Sequence, residues 1–160
     1  MSEPKKVIVY TDGACLGNPG PGGYGVVLLY GGHRKELSGG FKLTTNNRME
    51  LLAVIVGLRA LKERCMATVY SDSQYVVNAI EEGWAVRWRA NGWKRNKKEK
   101  AINADLWEQL LDLCEKHKVK MVWVRGHSGV EENERCDELS VVAAKRPDLP
   151  RDEGYEANQS

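Results

Sequence analysis

Four apolar or aromatic residues in a row, Val7 to Tyr10, run straight into Thr11, Asp12 and Gly13 and then into a turn of glycine and proline, GNPGPGG. Such a run leaves no polar face for water, so it reads as a strand covered on both sides. A carboxylate at its end is costly unless something compensates the charge. Taken alone, Asp12 before Gly13 reads as a turn cap. The pattern returns, however, where Ala67 to Tyr70 form a second short apolar run that ends in Ser71, Asp72 and Ser73. If the two strands lie parallel and adjacent, both carboxylates reach the sheet edge at which open α/β proteins bind ligands. Two like charges there call for a cation.

The residues between the two runs favour that arrangement. GNPGPGG lacks the GK[ST] ending of a phosphate-binding loop and reads as a structural turn. Tyr24 to Tyr30 then reads as a strand, Gly31 and Gly32 as a hairpin turn, and Arg34 to Lys42 as the returning strand. Thr44 to Asn47 supplies helix-cap formers, and Met49, Leu52, Ala53, Val56 and Leu61 recur at helical spacing towards Cys65. Glu50 falls in the first turns of this helix. A helix between two strands is the crossover that makes them parallel.

Further on, Ser73 to Ile80 and Trp84 to Asn91 read as short helices broken at Gly83, followed by a basic loop, Gly92 to Lys100. Asn103 to Lys116 is amphipathic. Lys118 to Arg125 reads as a fifth strand, GHSG at 126–129 as a flexible turn, and Glu132 to Lys145 as a last helix carrying Asp137. Trp107 and Trp123 are assigned to the core, His33 and His117 to the surface. Pro147 and Pro150 end regular structure. The expected organisation is a single domain over residues 1–146, including a basic segment at 84–101, and a flexible tail over 147–160.

A chain of 160 residues suits one such domain. Its net charge of +2 argues for no particular partner, but the distribution does. Arg87, Arg89, Lys94, Arg95, Lys97, Lys98 and Lys100 face Glu99 alone, a local net of +6 that leaves the remainder at −4. The four cysteines, Cys15, Cys65, Cys114 and Cys136, show no CxxC spacing and read as reduced thiols. MSEPKK has no signal-peptide character and no apolar run approaches membrane length, so a cytoplasmic protein without a membrane partner is expected.

The chain resembles the bacterial ribonuclease HI family, the type 1 ribonucleases H. The residues that carry the likeness are TDGACLGNPGPGGYG, TTNNRMEL, SDSQYV, the spacing of Trp84, Trp88 and Trp93, DLW, WVRGHSG and ENERCDEL, in that order. The resemblance implies an α/β fold of the ribonuclease H type, a five-stranded mixed sheet of order 3-2-1-4-5 with helices on both faces. It implies an endonuclease that hydrolyses the RNA strand of RNA/DNA hybrids, leaving 5′-phosphate and 3′-hydroxyl ends. Its catalytic carboxylates fall on Asp12, Glu50, Asp72 and Asp137, and its active-site histidine on His127. Asp12 and Asp72 follow from the residues themselves, whereas Glu50 and Asp137 rest on the resemblance. Carboxylates are the hard ligands that Mg²⁺ prefers, and a pair of ions suits phosphodiester hydrolysis. Asp12 would bridge two Mg²⁺, with Glu50 and Asp72 on one and Asp137 on the other; Mn²⁺ would substitute.

The nucleic-acid contacts are implied in the same way. Asn18, Asn46, Asn47 and Gln74, with the backbone near Cys15, match RNA-strand contacts, and these side chains both donate and accept as 2′-hydroxyl readers must. Thr45 and Asn103 match a pocket for a phosphate of the DNA strand. Trp84, Trp88, Trp93, Lys94, Arg95, Lys97 and Lys98 match a basic substrate handle, where aromatic and cationic groups suit nucleic acid. The plainer reading makes the asparagines turn formers and caps and the tryptophans a packed helix hairpin. No hybrid-binding domain of the eukaryotic type is expected ahead of the domain. A monomer with no obligate protein partner is expected. The rivals are a hybrid-binding module without catalysis and a DNA-acting nuclease or integrase of the same fold.

Overall fold

The computed structural model describes residues 4–94, 102–126 and 130–157. Three strands open the chain, β1 (Lys5–Cys15), β2 (Gly20–Tyr30) and β3 (His33–Thr44). They pair antiparallel through short connections. Helix α1 (Asn46–Arg59) then crosses over to β4 (Cys65–Ser71), which pairs parallel with β1. Helices α2 (Gln74–Glu81), α3 (Trp84–Ala90) and α4 (Ala104–Lys116) lead to β5 (Lys118–Trp123), parallel to β4. Helix α5 (Glu131–Ala144) and a short α6 (Glu153–Ala157) follow. The sheet order is β3-β2-β1-β4-β5, as the resemblance implied.

The core lies between the sheet and α1, backed by α4. Met49, Leu51, Val54, Ile55 and Leu58 of α1 are all fully buried, because this helix has the sheet on one side and α4 on the other. A helix enclosed in this way is apolar nearly all round. Trp107 of α4 is fully buried and donates its Nε1–H to the Tyr75 hydroxyl at 3.0 Å. The Trp88 ring packs edge-on to it at 5.8 Å, which fixes α3 to α4. Thus one tryptophan of the basic segment is a packing residue, as the plainer reading held.

Among the described helices, α5 alone packs on the other face, and it can do so closely because β2 offers glycine there. A Cβ on Gly25 would stand 2.3 Å from the Cys136 carbonyl oxygen. α5 covers β2 and the far end of β1 and leaves Ile8 38% exposed. The expected two-sided burial of β1 is thus half right: Val7 and Val9 are buried, while Tyr10 is half-buried and stacks on Tyr70 at 5.0 Å.

Several other boundaries differ from the sequence pattern. β1 continues through Asp12 and Gly13 to Cys15, so there is no turn at the carboxylate. α1 stops at Arg59, short of Cys65, because Cys65 already belongs to β4 opposite Lys5. Trp123 ends the edge strand and is 44% exposed, not part of the core; its Nε1–H donates to the Asp72 carbonyl at 3.1 Å. The tail is not loose over residues 150–157. Pro150 accepts from the Lys42 N–H at 2.9 Å, Asp152 is 5% exposed, and α6 follows.

His117 is likewise not a surface residue. It is 2% exposed, and its Nδ1 accepts from the Cys65 N–H at 3.1 Å, which closes the start of β4 against the end of α4. Burial, then the nearby Lys116 and Arg64 charges, hold its pKa below the ordinary value. The unfolded chain therefore takes up a proton more readily, and stability falls as pH drops through about 6.5. His117→Asn, which keeps an acceptor but does not titrate, should flatten that loss. Urea unfolding of both proteins at pH 5 and 7.5 checks this through the difference between their pH dependences.

Candidate active site

Three elements converge at the carboxyl ends of β1 and β4. Asp12 comes from β1, Glu50 from the first turns of α1, and Asp72 from the residue after β4. One carboxylate oxygen of each lies within 4.8 Å of the others. Parallel pairing of β1 with β4 makes Asp12 and Asp72 neighbours, in keeping with the sequence argument. Glu50 joins them because α1 starts directly over the end of β1. The Gly13 N–H donates to both Asp12 Oδ1 at 2.9 Å and Glu50 Oε1 at 3.2 Å, linking strand to helix.

The electrostatics of this cluster are unfavourable as it stands. Asp12 is 8% and Glu50 4% exposed. Burial, then the Asp72 charge, pushes the Asp12 pKa up to about 8. Burial and the Asp12 charge hold Glu50 well above the usual carboxylate range, and burial raises Asp72. Glu50 Oε2 is buried with no hydrogen-bond partner among the described residues. An orphaned carboxylate oxygen beside two further carboxylates is a donor set of hard oxygens that fits a divalent cation.

Asp137 faces the cluster from α5, across a cleft of about 20 Å³ that Asp12 and Asp72 also line. Glu134, one helical turn before Asp137, lines the same cleft. Sequence reasoning passed over it, although a spacing of three on a helix puts both carboxylates on one side. His127 lies outside the described residues.

The residues matched to RNA contacts lie on or next to the elements that carry the carboxylates. Asn18 accepts the Asn46 N–H at 3.1 Å, and Cys15 directs its thiol to the Gly20 and Thr44 carbonyls. Asn46 and Asn47 open α1, and Gln74 opens α2 beyond the Ser73 cap. Thr45 is the N-cap of α1 and accepts the Arg48 N–H at 3.3 Å. Asn103, in a left-handed conformation at φ +66°, precedes α4.

Of the basic segment, Trp84 and Trp88 line a cavity of about 420 Å³ together with Asn47, Tyr75, Ile102 and Asn103. Trp93 packs against the core, and Lys94 is exposed. Arg95, Lys97 and Lys98 lie outside the described residues. Arg89, counted in the basic cluster, is paired with Asp112 and Glu115 of α4. Its charge is thus spent on the protein.

The comparisons with known proteins agree with this geometry. The family model described as RNase H matches residues 4–145. Ribonuclease H of Syntrophus aciditrophicus is 72% identical over 151 residues, covering 94% of this chain and 87% of that protein. Ribonuclease HI of a Synechocystis species is 56% identical over 155 residues, 96% of this chain and 97% of that one. Among solved structures, LC9-RNase H1, described as a type 1 RNase H with the type 2 active-site motif, aligns with a TM-score of 0.79 at 35% identity. That alignment covers 90% of this chain and 74% of the other. With the sheet order, the carboxylate cluster and identity of this extent in agreement, the chain belongs to the ribonuclease H family, in its bacterial type 1 branch, and is a metal-dependent nuclease.

Proposed function

We propose that this nuclease is an endonuclease that hydrolyses the RNA strand of RNA/DNA hybrids with Mg²⁺, leaving 5′-phosphate and 3′-hydroxyl ends. The observation that carries the reading is the meeting of Asp12, Glu50 and Asp72 at one sheet edge, with a buried Glu50 oxygen that finds no hydrogen-bond partner among the described residues. In this reading Asp12, Glu50, Asp72 and Asp137 would hold the divalent ions. Divalent ions held there would supply charge to neutralise the scissile phosphate and would make a bound water more acidic. Mn²⁺, which takes the same oxygen ligands, would replace Mg²⁺.

The chain's own residues supply orientation. Asn18, Asn46, Asn47 and Gln74, with Cys15, stand near the carboxylates in sequence and face the RNA strand, where amide groups read 2′-hydroxyls. Thr45 and Asn103 take a phosphate of the DNA strand, and Trp84, Lys94, Arg95, Lys97 and Lys98 grip the duplex beyond it from a segment that Trp88 and Trp93 pack down. His127 moves a proton, or helps the product leave. The reading carries with it a cytoplasmic monomer, in keeping with thiol-type cysteine spacing and with the absence of any helix long and apolar enough to cross a membrane among the described residues.

An end-labelled hybrid incubated with Mg²⁺ tests this. The RNA strand should be cut and the DNA strand left whole, with no cutting in EDTA and none of all-DNA or all-RNA duplexes. A hybrid bound yet intact with both Mg²⁺ and Mn²⁺ would overturn the reading, as would cutting of the DNA strand.

A further inference from the structure

Away from the carboxylates, one buried cation has more partners than α1 alone explains. Arg48 is 2% exposed, and every N–H of its guanidinium has an acceptor. Nε and Nη2 donate to Asp152 at 2.9 and 3.1 Å, Nη1 and Nη2 to Asp105 at 2.9 and 2.7 Å, and Nη1 also to Asn103 Oδ1 at 3.2 Å. Asp152 accepts further from the Thr44 hydroxyl at 2.6 Å and the Tyr155 N–H at 3.1 Å. Charges this far from water persist only when paired and hydrogen-bonded to this degree.

Two ends of the network reach groups that bear on nucleic acid. Because Asn103 Oδ1 accepts from Arg48, its amide Nδ2 is left as a donor, and Asn103 lines the cavity shared with Trp84 and Trp88. A phosphate oxygen needs such a donor; the opposite amide orientation would present it with a carbonyl. At the other end, Arg48 donates its backbone N–H to Thr45 Oγ1, and Thr44 next to it is held by Asp152. Asp152 thus braces Thr45 and Asn103 at once, from 104 residues away along the chain as counted to Arg48.

We propose that Asp152 and Arg48 are positioning residues for a DNA-strand phosphate, with the segment 150–157 clasping the guanidinium that turns the Asn103 amide outward as a donor. This rests on the reading of Thr45 and Asn103 as phosphate contacts. Two variants perturb the clasp differently. Asp152→Asn removes a charge and keeps the shape. Gly154→Ala changes no charge, but its Cβ would stand 2.2 Å from Asp105 Oδ2 and 2.6 Å from Arg48 Nη2, so either the Arg48–Asp105 pair must give way or the segment must lift, and the clasp is disturbed either way.

Both are assayed, after a melt shows them folded at the assay temperature, on a plain hybrid and on hybrids with one methylphosphonate moved stepwise along the DNA strand. On the plain hybrid, KM should rise about three- to tenfold while kcat changes by less than about twofold, the mark of lost ground-state binding. The wild type should show a KM penalty at one methylphosphonate position, and the variants should show none there. A merely structural role would leave that penalty in place. An unchanged KM, or an intact penalty in the folded variants, overturns the proposal. If the wild type cuts no hybrid, the ribonuclease reading falls, and the same penalties measured by binding then judge the clasp separately.

Discussion

Asp12→Asn is expected to lower hybrid cleavage by about 10³-fold or more and, at the same time, to make the metal-free protein more stable. The first effect follows from the proposed role. Asparagine removes the charge of a residue that would hold the metal, and several kcal/mol of stabilisation at the reacting phosphate correspond to that factor at about 1.4 kcal/mol per decade. The second follows from the geometry alone. Asp12 is buried beside Glu50 and Asp72, and each raises the energy of the others as anions. Asparagine keeps the oxygen that accepts the Gly13 N–H and drops the charge.

The pH dependence separates this from a general packing effect. In the metal-free protein the Asp12 carboxyl is pushed up to about 8 by burial and by Asp72. The folded state then holds a proton that the unfolded chain releases near pH 4, so stability is greatest below that pH and falls as pH rises towards the folded value. The advantage of Asp12→Asn over wild type should therefore widen from pH 5 to pH 8 in EDTA, read by urea unfolding. Activity within tenfold of wild type would remove Asp12 from the site. A stability gap that does not grow with pH would mean that the cluster is not under electrostatic strain.

How much of this was legible depends on what kind of contact each residue makes. Asp12 and Asp72 can be read from the chain because each ends an apolar run, and a helix between the runs makes them parallel neighbours. Glu50 and Asp137 cannot, because their place depends on where α1 and α5 lie over the sheet, which no local pattern encodes. The segment after Pro147 looked loose for the same reason. Its anchors are a Pro150 carbonyl that accepts from Lys42 of β3 and a buried Asp152 carboxylate whose guanidinium partner lies in α1. The run KVKMVWVR misled in another way, since alternation places Trp123 on the side of Met121 but says nothing of the strand ending at the sheet margin. His117 carries no signal beyond its type; the Cys65 N–H it accepts belongs to β4, 52 residues away along the chain.

Gly13 is the residue whose meaning changed most, and it sets the other large expectation. Beside Asp12 it reads as a turn residue, yet it sits in β1 paired with Tyr24, and its φ is not positive. What it supplies is room: a Cβ there would stand 2.5 Å from Glu50 N and 2.6 Å from the Met49 carbonyl carbon, both backbone atoms that cannot swing aside. Gly13→Ala must therefore push the first turn of α1 off β1, and with it the Glu50 carboxylate that the Gly13 N–H holds. Overpacking of this kind costs about 1–3 kcal/mol, and an ångström of misplacement at a reacting centre costs about 10²-fold in rate. Both losses should appear together in urea unfolding and in single-turnover cleavage at saturating hybrid. Gly32→Ala is the contrast, since Gly32 has φ +83° and nothing within 4 Å of a Cβ. Strain in the left-handed region costs about 1–2 kcal/mol there and leaves cleavage untouched. If Gly13→Ala cleaved within about threefold of wild type, far less than a misplaced ligand predicts, the close approach of β1 and α1 would not be what sets the carboxylates.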